Sequence, residues 1–257
     1  MSLAFLTPDA MPSRELHARS PMERLAVAAG ARIARVEGWN VPNAYSEPSV
    51  EWTRLTKTVG FVDRSSLAKL EIQGEPQVLA RIVAQASAQA VGEEVTLEPG
   101  RASRSAKDAT TGTWWCPVTP GRVLVLSDPA SAPDVRAAVM QAVEEERSTV
   151  SVIDVTCGLA ALSLIGPNAR ELLARFCAID VRPTLAPPTA FRPGSVARTP
   201  GYVLVEEQEQ EQEHLLVLVG WALGEYLWQV VADAAAQLGG GPVGAEALAH
   251  YLERDDA

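Results

Sequence analysis

One stretch of this chain occurs twice. Val62–Val83 reads VDRSSLAKLEIQGEPQVLARIV, and Ile153–Cys177 reads IDVTCGLAALSLIGPNARELLARFC. Each copy runs from an aliphatic residue and Asp through a small polar turn into an alternating apolar strand. A Gly, a helix-opening Pro and an amphipathic helix carrying Leu-Ala-Arg follow. Asp63 and Asp154 mark the same point in the two copies. They lie roughly 90 residues apart, too long a period for a solenoid unit of about 20–50 residues. The pattern predicts a half-domain duplication of α+β class, built of antiparallel sheet-plus-helix units. A ligand site is expected where such halves meet.

The expected organisation is a flexible leader over 1–20, a first half over 21–147 and a second over 148–257. At 257 residues the chain is long enough to bury a sizeable core. No apolar run reaches the 18 or so residues that span a bilayer, and the N-terminus lacks the basic region of a signal peptide. The expected location is cytoplasmic, with no membrane partner. A net charge of −10 argues against nucleic acid, which needs a basic stripe. The basic patch of Arg101, Arg104 and Lys107 reads as a solvated loop. Cys116, Cys157 and Cys177 are scattered, as are His17, His214 and His250, so no metal site is expected.

Along the first half, helices are expected at 21–29, from Ser46 to about Val59 (closed by Gly60), and after Glu75-Pro76. A short strand is expected at Arg32–Glu37. In the first repeat Leu67, Lys69 and Glu71 face one side, and Ala68, Leu70 and Ile72 the other, as in a half-buried strand. Glu94–Leu97 also reads as strand. A hairpin of Trp114–Thr119 and Arg122–Leu126 turns at Pro120-Gly121, and a helix spans Ala132–Glu146. In the second half, Val150–Asp154, Leu159–Ile165, Gly194–Arg198, Tyr202–Glu206 and Leu215–Val219 read as strands. Pro167–Cys177, Gly224–Leu238 and Ala245–Leu252 read as helices. The acidic run Glu206–Glu213 is too polar for a core and is expected as an exposed hairpin tip.

Gly38-Trp39-x-x-Pro42-x-x-Tyr45, followed by a helix and Val59-Gly60-Phe61-Val62-Asp63-Arg64-Ser65-Ser66-Leu67, resembles the opening of the glycine-cleavage T-protein family of tetrahydrofolate-dependent aminomethyltransferases. The segments Ile153–Cys177, Ile179–Pro183, Val196–Thr199 and Gly224–Trp228 resemble both that family and the gamma subunit of heterotetrameric sarcosine oxidase. The resemblance implies a cloverleaf-like scaffold whose first two domains form a duplicated, folate-binding core. It also implies tetrahydrofolate as a cofactor, held in a central cavity. The third, barrel domain of T-proteins has no counterpart before Ala257, which is closer to the gamma-subunit type.

Two departures stand beside this match. T-proteins carry Gly-Gly-aliphatic-aliphatic-Asp-Asp in the central hairpin, where this chain has Gly112-Thr113-Trp114-Trp115-Cys116-Pro117. T-proteins also carry Gly-Tyr-Thr-Gly-Glu, whose acid holds the pterin, where this chain has Gly201-Tyr202-Val203-Leu204. The usual catalytic carboxylate is therefore expected to be absent. The resemblance offers Leu67, Trp115, Cys116, Asp128 and Tyr202 as ligand-binding candidates. Alternation along the strand allows only one of Trp114 and Trp115 to point inward. The competing readings are a folate-linked one-carbon protein, a non-catalytic gamma-type subunit among hetero-oligomeric oxidase subunits, and a repurposed scaffold, with a homodimer as the other assembly.

Overall fold

A computed structural model describes residues 17–106, 112–209 and 212–254. The chain runs β1 (Ala18–Arg19), α1 (Glu23–Ala28), β2 (Arg32–Val36), β3 (Trp39–Ala44), α2 (Pro48–Lys57), β4 (Gly60–Asp63), β5 (Ala68–Gln73) and α3 (Pro76–Val91). It continues β6 (Ser103–Ala106), β7 (Gly112–Thr119), β8 (Arg122–Ser127), α4 (Ala132–Ala142), β9 (Ser151–Asp154), β10 (Leu159–Ile165) and α5 (Ala169–Ala174). It closes with β11 (Phe191–Val196), β12 (Thr199–Glu209), β13 (Gln212–Gly220), α6 (Gly224–Ala236), β14 (Gly241–Pro242) and α7 (Ala245–Arg254).

β1, β3 and β2 form a small three-stranded sheet, and the other strands form two larger sheets that pack face to face. One has the order β11-β12-β13-β10-β4-β14 and the other β6-β7-β8-β5-β9. The layer between them is apolar: Leu67, Trp114, Cys116, Leu124, Leu126, Ala161, Leu204, Leu216 and Leu218. Helices cover the outer faces. Leu79, Ile82 and Val83 of α3 and Val135 and Val139 of α4 pack on Leu70, Ile72, Val123 and Val125. Leu172 and Leu173 of α5 and Leu227, Trp228 and Val231 of α6 pack on Phe61, Leu162, Leu164 and Val217. The result is a helix–sheet–sheet–helix sandwich of α+β class. At one end α2 and α7 take over, burying Leu55, Leu248 and Tyr251 against Val62 and Ile165.

The two repeats do not stay in separate halves. β4, from the first copy, pairs antiparallel with β10 of the second. β9, from the second copy, pairs antiparallel with β5 of the first. The crossovers are matched bond for bond. Ser65 N donates to Asp63 Oδ1 at 2.9 Å, and Thr156 N donates to Asp154 Oδ1 at 2.9 Å. Arg64 N donates to Ala161 O and Val155 N to Lys69 O, both at 2.9 Å. Ala161 N donates to Ser65 Oγ at 3.2 Å, and Lys69 N to Thr156 Oγ1 at 3.0 Å. These three pairs are related by a local twofold, which is the physical content of the repeat. It follows that residues 1–147 and 148–257, made separately, each lack one strand of their sheet. Neither fragment is expected to give a cooperative urea transition, and mixing is expected to restore one; a cooperative transition in either fragment alone would contradict the exchange.

Several expectations change. Trp39–Ala44, read as a break after Gly38, is a strand between β1 and β2. β1 lies within the expected leader and pairs with it. Glu94–Leu97 is irregular and Gly60 opens β4. The alternation in β5 holds, but its polar face is not solvated. Lys69 is fully buried, because that face meets the other sheet. The acidic run is not simply an exposed tip, since β12 and β13 extend into it. Glu206 is buried, and Glu213 is nearly so, 2.5 Å from Arg170. Residues 210–211, in the middle of the run, lie outside the described residues, as do 1–16 of the leader and Lys107 of the basic patch.

Candidate functional site

On β12 the residues facing the inter-sheet layer are Tyr202, Leu204 and Glu206; on β13 they are Leu218, Leu216 and His214. Toward the hairpin the layer thus changes from apolar to charged. The register shifts between Val205 and Glu207, so Glu206 sits on a β-bulge. Glu206 keeps the inward parity of Tyr202 and Leu204, and the bulge leaves it unpaired in the ladder. Glu206 Oε2 lies 2.7 Å from His214 Nε2, which is also 3.0 Å from Ser163 Oγ. Both contacts use one ring nitrogen, so the imidazole does not relay a proton between serine and acid. Burial raises the pKa of Glu206, but the charge and hydrogen bond of His214, with Arg64 and Arg104, outweigh it and hold it at about 2.

From the facing sheet come Asp128, just past β8, and Arg64, from the first crossover, 3.4 Å apart. Burial is the main cause raising the pKa of Asp128; Arg64 and the Gly112 N–H oppose it, and Glu206 adds to the rise. The Arg104 guanidinium lies 5.9 Å from the centre of the Trp114 ring. Cys116 is fully buried, and burial, then Glu206, pushes its thiol well up, so it stays protonated and un-nucleophilic near neutral pH.

Of the sequence candidates, Leu67 and Cys116 line the layer and Asp128 stands at its charged end. Tyr202 stands farther along β12, stacked on Phe191 at 5.5 Å and accepting a 2.8 Å hydrogen bond from Arg122. Trp115 faces the other way, a correction to its expected inward position. It packs in the α3/α4 core and donates its indole N–H to Ser105 Oγ at 2.9 Å. Trp114 is the inward member of the pair. Sequence reasoning missed Arg64, Ser163, Glu206 and His214, and it took Arg104 for part of a solvated loop, whereas Arg104 stands on β6 beside Trp114. Glu206 was readable in part: it continues the alternation of Tyr202 and Leu204, but the low-complexity texture of the run masked it. Among the described residues no group of three or more His, Cys, Asp or Glu is arranged to hold a metal. No described helix is long and apolar enough to cross a membrane.

The GCVT N-terminal domain family model matches residues 22–253. Among solved structures, the glycine cleavage system aminomethyltransferase T of Bartonella henselae superposes with a TM-score of 0.69 at 15% identity, over 90% of this chain and 60% of that one. This chain therefore spans less than two thirds of that protein's length. A chain of the heterotetrameric sarcosine oxidase of Corynebacterium sp. U-96, solved with pyrrole 2-carboxylate, superposes with a TM-score of 0.57 at 19% identity, over 88% of this chain and 98% of that one. No curated protein matches the sequence.

Proposed function

The chain belongs to the GCVT N-terminal domain family, and on that footing we propose that it binds tetrahydrofolate or a similar planar ligand at the charged end of the inter-sheet layer. The observation that carries this reading is Glu206. The acid missing from β7 and from β12 just after Tyr202 has a substitute here, buried, inward and ionised. A carboxylate accepts through both oxygens, so Glu206 keeps acceptor capacity for ring N–H groups beside the His214 contact. Trp114 supplies a stacking face, with the ligand ring taking the place of the Arg104 guanidinium. Arg64 and Arg104 supply cations for a ligand's carboxylate tail. Tetrahydrofolate, when bound, supplies the nitrogens that accept a one-carbon unit. The chain's own part in this reading is binding and orientation, because a buried, protonated Cys116 does not polarise an amine as a carboxylate does.

A thermal-shift titration with tetrahydrofolate and 5-formyltetrahydrofolate tests this. A dose-dependent rise is expected, worth about 2.7 kcal/mol at a hundredfold excess over Kd. A flat response at millimolar ligand would contradict it.

The second reading, a non-catalytic gamma-type subunit of a heteromeric oxidase, is favoured by a different observation. This chain aligns with 98% of the sarcosine oxidase chain but with 60% of the T-protein. Co-purification with partner chains from the native source supports it; a stable lone monomer or homodimer counts against it.

A further inference from the structure

A cleft of about 600 Å³ opens between α2, α7 and the β2–β3 ribbon. Its size falls within the range of small-ligand pockets. Trp52 forms one wall, with the His250 ring 5.3 Å away. Arg32 lines the cleft and has no hydrogen-bond or ion-pair partner among the described residues. Ser46 lines it too, and its Oγ is buried without a hydrogen-bond partner. The ten-residue helix α2 begins there with no side-chain cap, and Ser49, in its first turn, faces the cleft. Pro48 has no N–H, and the Val50 and Glu51 N–H groups donate to the Glu47 carbonyl, so the first-turn donor left for a ligand is the Ser49 N–H.

The two acids on the walls do not cancel this donor set. Both oxygens of Glu51 are taken by backbone N–H groups of Tyr45, Ser46 and Gly244. Glu246 Oε2 accepts the Asn43 side-chain amide at 2.9 Å and stands apart as an acceptor for a ligand N–H. The same Glu51 bonds tie the end of β3 to the start of α7, so the walls are held in place before any ligand arrives.

We propose that this cleft binds a flat aromatic carboxylate, with its ring on Trp52, its carboxylate on Arg32, Ser46 and the Ser49 N–H, and a ring N–H on Glu246. The site is independent of the Glu206 cluster and does not rest on the folate reading.

The test is a calorimetric titration of the full chain with indole-2-carboxylate, beside indole and tryptamine. Indole-2-carboxylate is expected to saturate at a single site, with indole and tryptamine at least tenfold weaker. Arg32→Ala, at an exposed position, is expected to weaken indole-2-carboxylate at least tenfold, whereas Glu206→Gln leaves it unchanged. Tighter binding of tryptamine would assign the cleft to cations through Glu246 and overturn the proposal. So would an Arg32→Ala variant that binds as well as the parent, or no saturation by indole-2-carboxylate up to 10 mM (about 100 times a Kd in the upper micromolar range). Loss of tetrahydrofolate binding in Glu206→Gln with this binding intact keeps the two sites distinct.

Discussion

Glu51→Ala is expected to destabilise the chain by about 4–6 kcal/mol, from three hydrogen bonds to a charged acceptor at roughly 1.5–3 kcal/mol each, less what water recovers. Glu51 lies on α2 and is 1% exposed. Its Oε1 accepts from Tyr45 N at 2.6 Å and Ser46 N at 2.8 Å, and its Oε2 accepts from Gly244 N at 2.8 Å. One side chain thus satisfies three donors from segments far apart in sequence, where the backbone leaves no other acceptor. Gly244 has no room for a substitute arrangement, since a Cβ there would collide with the Asn43 carbonyl. A loss of this size is a large part of the roughly 5–15 kcal/mol that holds a typical domain together. Glu51→Gln, which keeps one acceptor oxygen, is expected to fall between parent and alanine. Urea midpoints of the three proteins check the order; a change below about 1 kcal/mol in Glu51→Ala would show that the three N–H groups find other partners.

The second large effect is a pH dependence set by Lys69. Its Nζ donates to Ser65 O at 2.9 Å, Leu67 O at 2.7 Å and Thr156 O at 3.4 Å, joining the two crossovers at the local twofold. The second copy has Ala161 at the matching place. Burial is the largest influence and brings the Lys69 pKa down to about 8 from 10.5, against the attraction of Asp63. The sign follows from proton counting. Below pH 8 both folded and unfolded chains carry the charge, and the folded one bears the full burial cost. Between about pH 8 and 10.5 the folded lysine has lost its proton while the unfolded one keeps it. Stability from this group therefore rises with pH through that window, by about 3 kcal/mol in all.

Cys116 and Tyr45 act in the opposite direction. Burial raises both of their pKa values in the folded state, so the unfolded chain ionises first as pH rises. Lys69→Met keeps both groups and isolates the lysine. The difference between parent and Lys69→Met is expected to shift in favour of the parent from pH 7.5 to 10, by about 2 kcal/mol over that part of the window. Parallel curves for the two proteins across this range would show that Lys69 titrates as an exposed lysine does.

How much of this was legible in sequence depends on the kind of force involved. The repeat, the β7–β8 hairpin and the amphipathic helices could be read because apolar periodicity is local and strong. Strand exchange could not. A strand such as Gly60–Asp63 shows which faces are apolar but not which sheet accepts it, and the deciding hydrogen bonds run between Arg64 and Ala161 and between Val155 and Lys69. Glu206 was read as part of an exposed tip, and the burial of Lys69 on one face of a half-buried strand was not foreseen, because an isolated charge pays a large penalty for burial. Partners fixed by the fold offset that penalty: in part for Lys69, through carbonyls of both crossovers, and fully for Glu206, through His214 and the arginines. Trp114 and Trp115 show the limit of alternation. It requires opposite faces, and the packing of α3 and α4 decides which face is outer. Glu206 keeps the parity of Tyr202 and Leu204, but the bulge that leaves it unpaired in the ladder has no trace in the acidic run.

The central functional claim is that Glu206 stands in for the missing family acid. The most direct measurement is a calorimetric titration of 5-formyltetrahydrofolate into the parent protein and into Glu206→Gln, after urea melts establish that both are folded. The account predicts a saturable isotherm for the parent and at least a tenfold loss of affinity in the variant, since a neutral amide accepts through one atom where the carboxylate accepts through two. Equal affinities in the two proteins, or no binding to the folded parent, would contradict it.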